Sequence, residues 1–184
     1  MIKAGQTIEF KYDPLGRRTE KRVAGAGSEP TITRWAWDHR VMLHEWTYAE
    51  KDKPVAVVDE WGQLHYDKPE PLDNIITWVY NDDSFTPSAR LQNGEAHSII
   101  SDHMGTPTAA YDSQGTRVWE STLDIYGRGR ALKGDNNFIP FRYQGQYDDA
   151  ETGLYYNRYR YYNASEGLYI SSDPVGMAGG VNVY

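Results

Sequence analysis

Cysteine is absent from the 184 residues, so the chain builds neither a disulfide framework nor a thiolate metal site. No apolar run approaches the ~18 residues that a membrane-crossing helix needs. The first ten residues, MIKAGQTIEF, lack the apolar centre of a secretory signal. If the protein leaves the cell, it does so by a route that this segment does not encode. Positive charge is also in deficit. The 19 Lys and Arg against 26 Asp and Glu leave a net charge of −7, which argues against nucleic-acid binding through a basic surface. Aliphatic residues are scarce and helical periodicity is almost missing.

What the chain has instead is aromatic: 15 Tyr, 6 Trp and 4 Phe. Tyr and Trp bury a large ring and keep a polar handle, a composition suited to a half-wet sheet rather than a deep oily core. Eight of the 15 tyrosines fall between Tyr143 and Tyr169, interleaved with Arg142, Arg158 and Arg160 and punctuated by Gly145, Gly153 and Gly167.

Strand-like runs recur along the chain, each bounded by Gly, Pro, Asn or Asp. They cover residues 7–12, 31–37, 55–60, 75–80, 96–100, 107–111, 116–121 and 122–126. Asp112-Ser113-Gln114-Gly115 is a good hairpin loop between two of them. A degenerate repeat emerges: Tyr12-Asp13-x-x-Gly16-Arg17, Tyr111-Asp112-x-x-Gly115 and Tyr126-Gly127-Arg128, with a weaker version at Trp37-Asp38. The aromatic ends a strand, Asp opens the turn, Gly supplies the positive φ, and the following Arg can lie over an aromatic face. Residues 25–30 and 67–73 read as surface loops, and the only candidate helix, equally a turn, lies around 148–154. The pattern is all-β, an antiparallel strip of repeats stacking neighbour on neighbour. Residues 1–139 form this strip, and 140–184 are a separate C-terminal block ending in a short irregular segment.

Three stretches carry a resemblance to the RHS/YD-repeat family, and specifically to its RHS repeat-associated core. FKYDPLGRR (residues 10–18) resembles a YD repeat. SDHMGTPTAAYDSQGTRVWE (101–120) followed by LDIYGR (123–128) resembles the family's DHLGTP-to-WGR segment. Residues 140–184 resemble the core block itself. The resemblance implies a strip curled into a hollow β-cage or shell, closed by the core as a plug. It further implies a C-terminal toxin domain held within the shell and freed by aspartate-dependent self-cleavage. The implied partners are that toxin domain, the remaining shell, and a secretion spike (as in type VI secretion) or a toxin-complex subunit. The implied location is the bacterial cytoplasm before export, then delivery outside the cell. No cofactor is implied. The core positions matching the family are Arg142, Tyr143 and Gly145, then Gly153, Leu154, Tyr155, Tyr156, Arg158 and Tyr159, then Gly167 and Tyr169.

The resemblance assigns self-cleavage to Asp173 of the motif Asp173-Pro174-Val175-Gly176. Aspartyl proteolysis uses two carboxylates sharing a proton, one as base and one as acid. The competing reading is that Asp173 only shapes a turn before Pro174. Ser172 stands where the family often has Arg, which removes a cation able to hold the carboxylate ionised, and Met177 replaces the usual Leu. The family's cleavage point lies at a second DPxGL motif downstream, so this chain by itself is expected to be inactive. Asp148, Asp149 and Glu151 are carboxylates that could neighbour Asp173, though no spacing pairs them with it.

Asp102, His103 and His97 fit no standard metal spacing and read as part of a register-locking turn. Gly179-Gly180 reads as a tight backbone passage rather than a phosphate loop, since no helix signal or Lys follows. The Tyr/Arg ladder could alternatively stack on sugars, which would make the chain a free-standing β-repeat module for a glycan or a protein partner.

Overall fold

The computed structural model describes residues 5–25, 27–143 and 145–172. Alternating sequences become strands joined by short turns. In order they are β1 (Gln6–Tyr12), β2 (Arg18–Gly25), β3 (Ser28–Asp38), β4 (Val41–Ala49), β5 (Ala56–Val58), β6 (Leu64–Tyr66), β7 (Ile76–Tyr80) and β8 (Pro87–Gln92). Then follow β9 (Glu95–Ser101), β10 (Pro107–Tyr111), β11 (Arg117–Leu123) and β12 (Gly129–Lys133). The C-terminal block adds β13 (Tyr147–Asp149), β14 (Leu154–Asn157), β15 (Arg160–Asn163) and β16 (Leu168–Tyr169). Ten strands form one antiparallel sheet in the order β1-β2-β3-β4-β7-β8-β9-β10-β11-β12, while β13–β16 form a second sheet and β5–β6 a separate hairpin.

The turns explain the meander. Five share one geometry, opened by Asp13, Asp59, Asp102, Asp112 and Asp124 and closed three residues later by glycine. In each, the Asp carbonyl accepts from the glycine amide at 2.9–3.0 Å. The Asp Oδ1 accepts from the amides two and four residues on, at 2.8–3.0 Å. The closing glycines have φ between 73° and 84°, the left-handed region that side chains resist. The repeat unit is therefore Asp-x-x-Gly, and the tyrosine before it is incidental. The third copy of the repeat starts at Asp124 rather than Tyr126, and residues 122–126 are not a strand of their own, because β11 runs to Leu123 before that turn. The arginine after the turn also behaves otherwise than expected. Arg17 and Arg128 pair with Asp13 at 2.6 Å and with Asp124 at 2.7 Å instead of stacking on rings.

Other expectations change too. Residues 28–30, expected in a surface loop, belong to β3, where Ser28 is registered opposite Gly25 of β2. Residues 148–154 are neither a helix nor a lone turn but the β13–β14 hairpin. β2 carries so much charge that it does not read as a strand. It forms because its charged groups are buried against partners: Arg18, Glu20 and Lys21 are all among the buried residues, as is Glu45 of β4.

The core is a layer of rings on one face of the large sheet. Trp35, Trp78 and Trp119 pack there with Ile99, Ala110, Ile139, Phe141, Tyr147 and Tyr156. The edge strands β1 and β12 are not hydrogen-bonded to each other, so the sheet is open.

Candidate functional site at the docked C-terminal sheet

After β12 the chain crosses the buried face of the large sheet. Phe138 meets His97 edge-on at 5.0 Å. Phe141 meets Trp78 at 4.8 Å, and Tyr147 meets Trp35 at 5.7 Å. Such edge-to-face pairs favour these separations. Arg142 ties the crossing together. Its guanidinium donates to the Ile139 and Phe141 carbonyls at 2.9 and 3.0 Å, to Asn136 Oδ1 at 2.8 Å and to Asp148 Oδ2 at 2.6 Å.

The second sheet then docks through tyrosine hydroxyls onto turn carbonyls. Tyr156 donates to the Gly16 carbonyl at 3.1 Å and accepts from the Arg18 amide at 2.9 Å. Tyr155 donates to the Gly127 carbonyl at 2.8 Å, Tyr162 to the Tyr126 carbonyl at 2.9 Å, and Tyr143 to the Asp124 carbonyl at 3.1 Å. Two glycines admit rings at these contacts. A Cβ on Gly16 would lie 2.5 Å from the Tyr159 ring, and one on Gly167 would lie 2.6 Å from the Tyr126 ring.

These bonds fix the curvature of the strip. Gly16 and Gly127 belong to turns at opposite ends of the ten-stranded order. Laid flat, those turns would be roughly 40 Å apart at ~4.8 Å per strand. They are held by Tyr156 and Tyr155, adjacent residues whose hydroxyls can be no more than about 17 Å apart given a 3.8 Å Cα spacing. The strip is therefore curled around the small sheet.

At the centre sits Arg18, whose side chain is 0% exposed. Its guanidinium carbon lies 4.3 Å from the Trp35 ring centre, 4.4 Å from Tyr156, and 5.2 Å from both Phe10 and Tyr147. It is paired with the Asp149 carboxylate, also 0% exposed. Burial opposes the charge on Arg18, but the adjacent Asp149 outweighs it and raises the guanidinium above its usual range. Lys21 completes the cluster, 3.4 Å from Asp149 and 2.9 Å from Glu151. Deeper in the same face, Glu45 accepts from Trp78 Nε1 at 3.3 Å, and burial raises its carboxyl above the usual range.

Between the small sheet and the strip is a cavity of about 110 Å³. Trp37, Tyr80, Phe141 and Tyr156 line it, with Arg40 and Arg158.

The residues singled out in the sequence have the following places. Asp173, Pro174, Val175 and Gly176 lie outside the described residues, as do Gly179 and Gly180. None of the three carboxylates considered as neighbours of Asp173 is free: Asp148 holds Arg142, Asp149 holds Arg18, and Glu151 holds Lys21. Asp102 opens a turn and His97 faces Phe138, so the two serve different contacts. Among the described residues no group of three or more His, Cys, Asp or Glu is placed to hold a metal. Gly145, Gly153 and Gly167 have φ of 80°, 70° and 75° and shape the turns of the C-terminal block. Leu154 pairs with Asp149 across β13–β14. Arg158, at φ 53°, lies 4.9 Å from the Tyr159 ring. Tyr169 accepts from Asn157 at 2.8 Å and stacks under Arg160. Sequence reasoning missed Arg18 and Glu45. The only signal for Arg18 was its place after Gly16-Arg17, and nothing local marks it as the buried member of that pair.

Known proteins resemble this chain in sequence and in fold. The Teneurin YD-shell family matches residues 1–178. The toxin protein Tse5 of Pseudomonas aeruginosa is 34% identical over 184 aligned residues, covering 95% of this chain and 14% of the relative. The probable deoxyribonuclease RhsA of Dickeya dadantii is 29% identical, again over 95% of this chain and 14% of the relative. The chain thus spans about a seventh of the length of these relatives. The crystal structure of TcdB2-TccC3 superposes with a TM-score of 0.62 over 96% of this chain and 8% of that one, at 24% identity, a likeness of fold. The chain belongs to the YD-shell family, as a homologue of the Rhs toxin proteins that shares its fold with the Tc toxin shell.

Proposed function

We propose that this chain is the C-terminal segment of an Rhs shell that encloses a toxin domain in a longer parent and supports aspartate-dependent self-cleavage through Asp173. Residues 1–139 serve as wall, and 140–184 as the plug that closes it. The observation that carries this reading is the docking of the β13–β16 sheet. Tyrosine hydroxyls tie it to turns at both ends of the strip, so the end of the shell sequence is anchored against the strip's buried face. A cleavage centre needs such a fixed platform, because a held peptide bond and a placed carboxylate account for much of the barrier reduction. Its partners are the parent's own toxin domain and the remaining shell, and its route is delivery outside the producing cell.

The test uses the parent protein carrying the sequence downstream of residue 184. It should migrate as two bands that stay associated under native conditions, with the smaller fragment resistant to added protease until the shell is denatured. Asp173→Asn should give one band. A split that persists in that variant removes Asp173 from the chemistry, and a fragment digested as fast with the shell as without it removes enclosure.

A further inference from the structure

The small sheet grips the strip at the β1–β2 and β11–β12 turns, through Tyr156 and Tyr155. At the β3–β4 turn, which lies between those two in the strip order, the 110 Å³ cavity separates the two sheets. Its wall is ring surface. Tyr80 and Tyr156 line it but turn their hydroxyls elsewhere, donating to the Met42 carbonyl at 3.0 Å and the Gly16 carbonyl at 3.1 Å. Trp37 Nε1 likewise donates to the Arg18 carbonyl at 2.8 Å, and Phe141 has no polar atom to offer.

Charge at the cavity comes from Arg40 on the strip and Arg158 on the small sheet. Arg158 sits in the two-residue turn between β14 and β15, since Asn157 pairs with Arg160. Its Nε is buried and has no hydrogen-bond partner among the described residues. A buried guanidinium donor without an acceptor is costly. Neither arginine forms an ion pair among the described residues, in a chain with 26 acidic side chains against 19 basic ones.

Two unpaired cations beside a ring-lined cavity specify the kind of ligand that fits. An apolar cavity of about 150 Å³ takes a benzene ring. A cavity of 110 Å³ therefore admits one ring at most. Arg40 is exposed, so its end of the cavity meets solvent and leaves room for a charged group outside the rings. That charge is best single. An adjoining groove shares Arg40, Val41, Tyr80 and Phe85 with the cavity and carries Asp38, Asp82 and Asp83. Their carboxylates disfavour a second negative charge at the mouth.

We propose that this cavity binds a free aromatic monocarboxylic acid, with its ring among Trp37, Tyr80, Phe141 and Tyr156 and its carboxylate held by Arg158, Arg40 standing at the mouth. A guanidinium fork suits a carboxylate. The bound acid links the β3–β4 turn to the β14–β15 turn and adds an attachment between strip and small sheet. The site stands whether or not a longer parent encloses a toxin or cleaves itself.

The test uses the 184-residue chain and benzoate. In isothermal titration calorimetry benzoate should bind one to one with a Kd of about 1 mM or tighter, within reach of a ligand of its size. It should also raise the melting temperature as its concentration passes that value. Benzylamine reverses the charge, acetate lacks the ring, and inorganic phosphate carries extra charge; each should bind at least about tenfold more weakly. Arg158→Ala should weaken benzoate at least about tenfold, the scale of one lost charge-assisted hydrogen bond. Arg40→Ala, at an exposed position, should weaken it severalfold, and it tests the site even if Arg158→Ala does not fold by far-ultraviolet spectroscopy. No heat and no melting shift at about 10 mM benzoate, equal affinity for benzylamine, or unchanged affinity in the folded variants overturns the proposal. N-acetylphenylalanine adds a peptide group to the same ring and carboxylate and should bind more weakly, because the cavity has room for the ring alone. Tighter binding of that compound assigns the cavity to the end of a peptide chain and overturns the free acid.

Discussion

Arg18 and Asp149, 131 residues apart, form an ion pair with no solvent exposure at either side chain. Arg18 belongs to β2 near the start of the strip and Asp149 to β13 of the docked sheet, so this pair joins the two sheets.

Removing one member should cost far more than removing both. A buried charge left without its partner destabilises by about 3–5 kcal/mol. Asp149→Asn and Arg18→Met should each lower stability by that order in urea titration. The double variant Arg18→Met/Asp149→Leu should recover a large part of the loss, because rings already surround the site. Additive losses in the double variant would show that the two residues act independently.

Gly16 and Gly115 have nearly the same φ, 73° and 78°, but only Gly16 lies under a ring. Alanine at either position should cost about 1–2 kcal/mol for the left-handed backbone. Gly16→Ala should cost more, since its methyl would displace Tyr159 from the turn that Tyr156 also grips. Equal melting temperatures for the two variants would mean that the Tyr159 contact adds nothing.

Two buried carboxyls should give pH effects of opposite sign. Burial pushes Glu20 up, but hydrogen bonds from Lys11, Lys53 and Arg34 outweigh it and bring Glu20 down to about 2 from 4.5. Its stabilisation is complete above pH 4.5 and drains away as pH falls toward 2. The loss of melting temperature over that window should therefore flatten in Glu20→Gln.

Glu45 is raised by burial, so it opposes folding increasingly as pH climbs above its unfolded value of 4.5. Glu45→Gln keeps an acceptor for Trp78 Nε1 and should raise the melting temperature at pH 7 while changing it little at pH 4. A lower melting temperature at pH 7 would show that the ionised carboxylate is favoured there.

The β5–β6 hairpin stands off the sheet with Trp61 77%, Leu64 73% and Tyr66 68% exposed. Together with the open edges β1 and β12 it makes the isolated chain prone to association. Sedimentation velocity in the micromolar range should show self-association that Trp61→Ser/Leu64→Ser reduces, with little change in melting temperature. A chain that is monomeric throughout that range contradicts this.

Much of the strip was legible. Asp and Gly three apart, between runs of alternating polarity, specify hairpins through contacts spanning four residues, and such contacts survive in any tertiary setting. The reading went astray where local signals were ambiguous. Tyr126 reads as the start of a repeat because aromatics precede the other copies, although the hydrogen bonds belong to Asp124. β2 lies outside the strand-like runs of the sequence because Arg18, Glu20 and Lys21 break the apolar alternation, and only their partners make them buried strand residues.

An antiparallel strip of aromatic-Asp-x-x-Gly repeats, followed by a tyrosine-rich block of the YD-shell family, is legible from the residues alone. Those features rest on neighbours a few residues apart and on the ring-rich composition. The tertiary structure alone decided which tyrosines grip which turns, that adjacent Tyr155 and Tyr156 draw the two ends of the strip together, and that Arg18 and Asp149 meet. Each of these contacts depends on the summed twist and curl of ten strands. That sum is set by packing across the whole sheet, and no short window of sequence contains it.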